Sequence, residues 1–205
     1  LFVFILAAES AVSQDEDAVC TYKTWSWSVH EKRAVDRKVI SKPRSELQDF
    51  EQDPLSRCTV CREDQEFVRV PGVPPFRVCK HYSKQVEAAL ISAIESGFVI
   101  KEALGYRVGK SKGPVDENGL RQQFSNHSFG TAIDINQKHN GLYSNCLKFS
   151  SKCRLLRGGS WQPNNPLAIT KTSAIYKSLR AIGWSWAGEL AGKQKDFMHF
   201  SLSGD

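Results

Sequence analysis

Six cysteines constrain this chain more than any other feature. Cys20, Cys58, Cys61 and Cys79 fall in the first half, and Cys146 and Cys153 sit close together in a Ser/Lys-rich stretch. In an oxidising compartment an even count reads as three disulfides. Cys146 and Cys153 then close a small surface loop, and the other four staple the first half in a pairing the sequence leaves open. A rival reading is a metal knuckle built from Cys58-x-x-Cys61 and Cys79-x-His81. It has only one Cys-x-x-Cys, where a zinc ribbon needs two.

The compartment decides between the two. Residues Leu1 to Ala8 are apolar, and acidic sequence follows from Glu9 to Asp17. That order reads as the back half of a secretory signal peptide, with a short buried strand or helix as the other reading. No Met opens the chain; Met198 is its only one. Residues 1–19 are therefore expected to be a partial signal peptide and mature N-terminus, which makes the protein secreted or periplasmic and its cysteines oxidised. At 205 residues, 40% hydrophobic and 24% charged, the rest has an ordinary globular composition. Collagen-like, coiled-coil and wholly disordered chains are excluded. No apolar run reaches the roughly 18 residues a membrane span needs, so no integral span is expected in the mature protein. The net charge of +6 suits anionic cell wall, anionic lipid or nucleic acid alike. The lysines are scattered and no aromatic/basic recognition motif occurs, so a nucleic-acid partner is not expected.

Residues 20–60 are polar, with Trp25 and Trp27 as candidate anchors, and Glu31 to Asp53 reads as solvated helix and loop. Residues 67–79 read as short strands broken by prolines. From Ser83 to Ser96, Val86, Ala89, Leu90, Ala93 and Ile94 follow the helical period, with Ser83 as N-cap and Gly97 as the stop. A short strand is expected at 98–100 and a Gly/Pro/Lys loop at 110–118. A second helix runs from about Ser173 to Ile182 and ends at Gly183. The fold class is α+β: a small antiparallel sheet carrying the site, helices on its other face, and a disulfide-bearing N-terminal extension. The expected units are that extension at 20–82 and a second domain at 83–205, in a monomer.

Two segments carry candidate chemistry. In Met198-His-Phe200-Ser-Leu202 the apolar residues alternate with His199 and Ser201, so His199 faces away from the core. In Ala132-Ile-Asp134-Ile-Asn136 the isoleucines go inward and Asp134 goes to the other face. His127 lies an odd number of residues before Asp134, so one straight strand cannot bring both to one side. Gly130 between them can supply the bend. Two imidazoles and a carboxylate suit Zn²⁺ with an open position for water, and such a site needs a proton acceptor. Asp196, at the entrance to the last strand, is the candidate.

Ser125-x-His127-x6-Asp134 with Asp196-x-Met-His199-Phe200 resembles the signature of the D-alanyl-D-alanine carboxypeptidase (VanY-like) zinc peptidases. Their relatives include phage L-alanyl-D-glutamate endolysin peptidases. The stretch His127-Ser-Phe-Gly-Thr-Ala-Ile-Asp-Ile-Asn136 is similar to the family's first block, Gly183-Trp-Ser-Trp-Ala-Gly188 with Lys195 to Phe200 to its last, and Tyr106-Arg107 to an upstream motif. The resemblance covers residues 83 to 205. It implies one catalytic zinc held by His127, Asp134 and His199, with Asp196 as general base and Arg107 beside the developing oxyanion. Ser125 would hydrogen-bond the substrate or cap the turn before His127. Trp184 and Trp186 would contact substrate or close the core end of the second helix. The implied partner is a peptidoglycan stem peptide or muropeptide, cut at D-Ala–D-Ala. L-Ala–D-Glu cleavage is the close alternative. Hedgehog-type domains carry a similar His/Asp/His site, so a non-catalytic zinc-stabilised binding domain is the alternative from another class.

Overall fold

The computed structural model describes residues 18–204. The signal-peptide reading of the first residues lies outside that range. Three disulfides form: Cys20–Cys61, Cys58–Cys79 and Cys146–Cys153. The four cysteines of the first half staple it, and the last two close a surface loop, as the sequence led us to expect. With every cysteine oxidised, the metal-knuckle alternative has no thiolates.

The chain opens with a long hairpin, β1 (Val19–Ser28) and β2 (Arg33–Pro43), with Cys20 opposite Lys42 and Ser28 opposite Arg33. This corrects the expectation of helix and loop over Glu31 to Asp53, of which only two single 3-10 turns survive, at Arg44–Glu46 and Asp49–Glu51. β2 is the edge of its sheet and lies mostly in water, so no inward face selects alternating apolar residues. The next hairpin, β3 (Gln65–Val70) and β4 (Val73–Cys79), matches the proline-punctuated strands, and Gly72 takes the left-handed turn position.

Helix α1 (Ser83–Glu95) buries Val86, Ala89, Leu90 and Ala93, the face its periodicity marked. Tyr82, not Ser83, occupies the N-cap position, because the Ser83 hydroxyl bonds to Glu66 and to the Lys80 carbonyl. Residues 98–100 form no strand; Phe98 and Ile100 plug into the core, and the strand β5 comes later (Ala103–Leu104). The expected loop at 110–118 contains β6 (Lys110–Val115), which pairs with β7 (Arg121–Phe124) and, in parallel at Ser26, with β1. Gly113 and irregular register let this Gly/Pro-bearing segment pair despite its composition.

The remaining elements are β8 (Ala132–Ile135), β9 (Leu142–Ser144), β10 (Arg154–Arg157), α2 (Ala174–Ala181), β11 (Ser185–Trp186), β12 (Gln194–Asp196) and β13 (His199–Ser201). Two small sheets matter for the site, ordered β11-β13-β8-β5 and β10-β9-β12. One apolar cluster runs from Val68, Phe76 and Val78 through Leu90 of α1 and Ile133, Ile135 and Phe200 of the sheet to Ile175 and Leu179 of α2. Truncating a side chain as enclosed as Leu90 to alanine typically costs about 2–5 kcal/mol. A second cluster gathers Cys20, Tyr22, Cys58, Val60, Cys61, Cys79, Val108 and Phe129. Through Phe129 it reaches the turn that carries His127. The fold is therefore α+β, with small, mainly antiparallel sheets and, among the described residues, two α-helices.

Candidate metal centre

Asp134 and His199 face each other directly across β8 and β13. The alternation read from the sequence is borne out here, since Ile133, Ile135 and Phe200 all enter the core. Leu104 of β5 pairs Asp134 from its other side, so the aspartate sits mid-sheet between two hydrogen-bonded neighbours.

His127 arrives from a 3-10 turn, Asn126–Phe129, closed by Gly130 at φ +67°. A Cβ on Gly130 would lie 2.4 Å from the Cys79 nitrogen and 2.0 Å from Gln65 Oε1. Only glycine combines that backbone angle with that approach to β4. Gly105 has the same kind of reason: a Cβ there would fall 2.1 Å from the Arg77 carbonyl oxygen. Its own carbonyl meets His127 Nδ1 at 2.9 Å, and the Arg107 N–H donates to the His127 carbonyl at 3.0 Å. The Gly105-Tyr106-Arg107 segment thus fixes the His127 ring as well as its backbone.

Three donor atoms converge. His127 Nε2 lies 3.1 Å from Asp134 Oδ1 and 3.2 Å from His199 Nδ1, and His199 Nδ1 lies 3.0 Å from the same Oδ1. All three residues are buried. When His127 donates from Nδ1 to Gly105, its Nε2 lone pair points into the triangle beside a carboxylate oxygen. Only a proton on His199 Nδ1 then separates lone pairs from lone pairs. Such an acceptor-rich triangle is what a cation resolves. Ligands of a four-coordinate zinc at about 2.0–2.1 Å stand about 3.3 Å apart, close to the spacing seen. The group could therefore hold a metal ion. His199 Nε2 is enclosed and has no hydrogen-bond partner among the described residues.

The electrostatics favour the ligating forms. Burial, reinforced by the Arg107 charge and opposed by Asp134, lowers the His127 pKa to about 4, so the ring is neutral near pH 7. Burial pushes Asp134 up, but His127, His199 and Arg107 outweigh it and hold the carboxyl well below the usual range. Arg107 Nη2 donates to Asp134 Oδ2 at 2.6 Å, and its Nη1 donates to the Gly105 carbonyl at 3.4 Å. Engaging Oδ2 leaves Oδ1 to the triangle, the kind of outer contact that orients a metal ligand.

Asp196 ends β12, three residues before His199, and leads into the two-residue turn at 197–198 that joins the two small sheets. Its Oδ1 is buried and unpartnered. Burial raises its pKa to about 6, with His199 pulling it down and Asp134 pushing it up. The turn is pinned through Phe197. That ring stacks on Trp161 with centroids 4.0 Å apart and meets Tyr143, Phe149 and Trp186. The indole N–H of Trp186 also donates to the Phe197 carbonyl at 2.9 Å.

Trp161, Tyr143 and Phe149 carry no signal in the sequence, because they lie in loops and a short strand without period. Nor does Asn140, which with Asn136 ties β8 to the 99–102 and 167–169 segments. Trp184 and Trp186 are enclosed in the main core at the end of α2, where they pack rather than face an opening. Ser125 stands half-buried at the N-cap of the His127 turn, and its side chain makes no capping bond.

Comparison with known proteins agrees with the sequence resemblance. No curated protein and no solved structure gives a match. Residues 119–202 match the family model described as D-alanyl-D-alanine carboxypeptidase, so the family resemblance is borne out across the stretch that carries His127, Asp134, Asp196 and His199.

Proposed function

We propose that this chain is a secreted zinc metallopeptidase that hydrolyses peptidoglycan stem peptides, removing the terminal D-alanine as a carboxypeptidase. One observation carries the reading: three buried donors, His127 Nε2, Asp134 Oδ1 and His199 Nδ1, lie 3.0–3.2 Å from one another near a carboxyl with an unspent oxygen. Zinc bound there would supply Lewis-acid polarisation of the scissile carbonyl and lower the pKa of water. Asp196 takes the proton of the attacking water at Oδ1 and passes it to the leaving amine. Burial, which raises this carboxyl in the metal-free protein, favours its taking up a proton. Arg107 holds Asp134 Oδ2, and its fixed charge lowers the cost of the developing oxyanion. Ser125, its hydroxyl unused by the turn, is the candidate to bind the substrate backbone.

In this reading residues 83–205 carry the chemistry and residues 20–82 brace it, since Gln65, Val78 and Cys79 crowd Gly130 beneath His127. Three disulfides fit work outside the cytoplasm. No helix among the described residues is long and apolar enough to cross a membrane.

The test is incubation of the zinc-loaded protein with purified muropeptides, followed by mass spectrometry. Loss of one alanine is expected, together with about one zinc per chain that Asp134→Ala abolishes. A cut behind L-Ala would make it an endopeptidase. Unchanged muropeptides at full zinc occupancy would refute the enzyme and favour a binding domain.

A further inference from the structure

A cleft of about 460 Å³ opens beside the metal centre, between β1 and the segment that delivers Arg107. Its lining includes Tyr22, Lys23, Trp25, Arg62, Tyr106 and Arg107, and it contains three cations and no carboxylate. Arg107 belongs to both places, since it lines the cleft while its Nη2 bonds Asp134 at 2.6 Å. Apart from Arg107 and its neighbours Tyr106 and Val108, every wall comes from residues 21–62, and none comes from the stretch that matches the family.

The walls are fixed before anything binds. The Tyr106 hydroxyl donates to the Val60 carbonyl at 2.6 Å, and the Tyr22 hydroxyl is engaged by Glu51. Both rings are therefore held as flat faces. Trp25 lies against Gly109 so closely that a Cβ there would come within 2.3 Å of the indole. Glu63, next to Arg62, stays charged but turns its carboxylate to the Thr21 N–H and hydroxyl, outside the lining. Lys23 and Arg62 are exposed and form no ion pair among the described residues. Two unpaired cations sharing a lining with aromatic side chains favour a ligand with a carboxylate on an otherwise compact, partly apolar chain.

We infer that this cleft is a subsite for an anionic peptide, with Lys23 and Arg62 selecting substrates that carry a free carboxylate upstream of the scissile bond. The inference rests on the peptidase reading for the direction of the chain, but not for binding. The N-terminal hairpin then sets specificity as well as bracing the fold.

The test uses the full chain and two synthetic peptidoglycan pentapeptides that differ only at residue two, D-glutamate or D-isoglutamine. Binding is read by titration of the metal-free protein and KM by hydrolysis with the zinc-loaded one. The parent should bind the glutamate peptide more tightly. Lys23→Ala and Arg62→Ala should each weaken it about fivefold, the upper range for an exposed pair, and together about twentyfold, with the isoglutamine peptide unaffected. Unchanged melting curves check that the surface variants fold. Discrimination without hydrolysis would uphold the cleft and sink the enzyme. Hydrolysis with neither discrimination nor any effect of the double variant would sink the cleft and leave the enzyme standing.

Discussion

Replacing Asp196 with asparagine should make the protein less active and more stable. The carboxyl has an ordinary pKa of 3.8 and is raised to about 6 by burial. Each pH unit of that difference is worth about 1.4 kcal/mol, so keeping the group charged in the fold costs about 3 kcal/mol more than in the unfolded chain. The sign follows from proton binding. Between pH 3.8 and about 6 the folded protein holds more protons at this site than the unfolded one, so its contribution to stability falls as pH rises through that window. Above pH 6 the cost is complete; below 3.8 it is gone. His127 runs the other way, since a pKa of about 4 makes its contribution fall as the medium acidifies, but parent and variant share it.

Asparagine keeps the shape and an oxygen to accept from the Met198 N–H, and removes the charge. Thermal melts with a chelator present, so that bound metal does not offset the carboxylate, should show the variant about 6–12 °C more stable at pH 8. The two curves should converge at pH 4. Turnover on the same protein with zinc restored should fall by about 10²–10⁴, the usual worth of a general base. A variant that melts at or below the parent at pH 8 refutes the claim of an uncompensated buried charge. A gap of equal size at pH 4 would mean that packing, not charge, produced it.

Two further outcomes follow from the same geometry. Gly130→Ala forces φ +67° on a residue with a Cβ and drives that Cβ to 2.4 Å from the Cys79 nitrogen, so a loss above about 3 kcal/mol is expected. Because the turn carries His127, zinc affinity should fall with it; denaturant unfolding and a zinc titration check both. Replacing Cys58 and Cys79 by serine opens a loop of 21 residues, worth about 3 kcal/mol in chain entropy. The midpoint of urea unfolding should drop accordingly, and an unchanged midpoint would show that the second apolar cluster holds without its staple.

Strand alternation made part of the site legible from the chain alone. Ile133 and Ile135 inward with Asp134 outward, and Phe200 inward with His199 outward, are local consequences of a period of two, so they were legible without a fold. The same holds for α1 and α2, whose apolar spacing matched the helical period, and for the oxidised cysteines, whose even count needed only a compartment. The edge strand β2 was not legible, because a strand solvated on most of its length selects no alternation. Nor was β6, whose glycine and proline argue for a loop until β1 and β7 pair with it.

The rest depends on contacts that join residues far apart in the chain. The Arg107 bond to Asp134, the Cys20–Cys61 and Cys58–Cys79 pairing, and the crowding of Gly130 by β4 are examples. So is the enclosure of Trp184 and Trp186, which two residues of spacing left undecided between strand face and core. The stack of Phe197 on Trp161 that pins Asp196 is another. Each is a packing choice between segments with no shared period, and packing between distant segments leaves no trace in a single sequence.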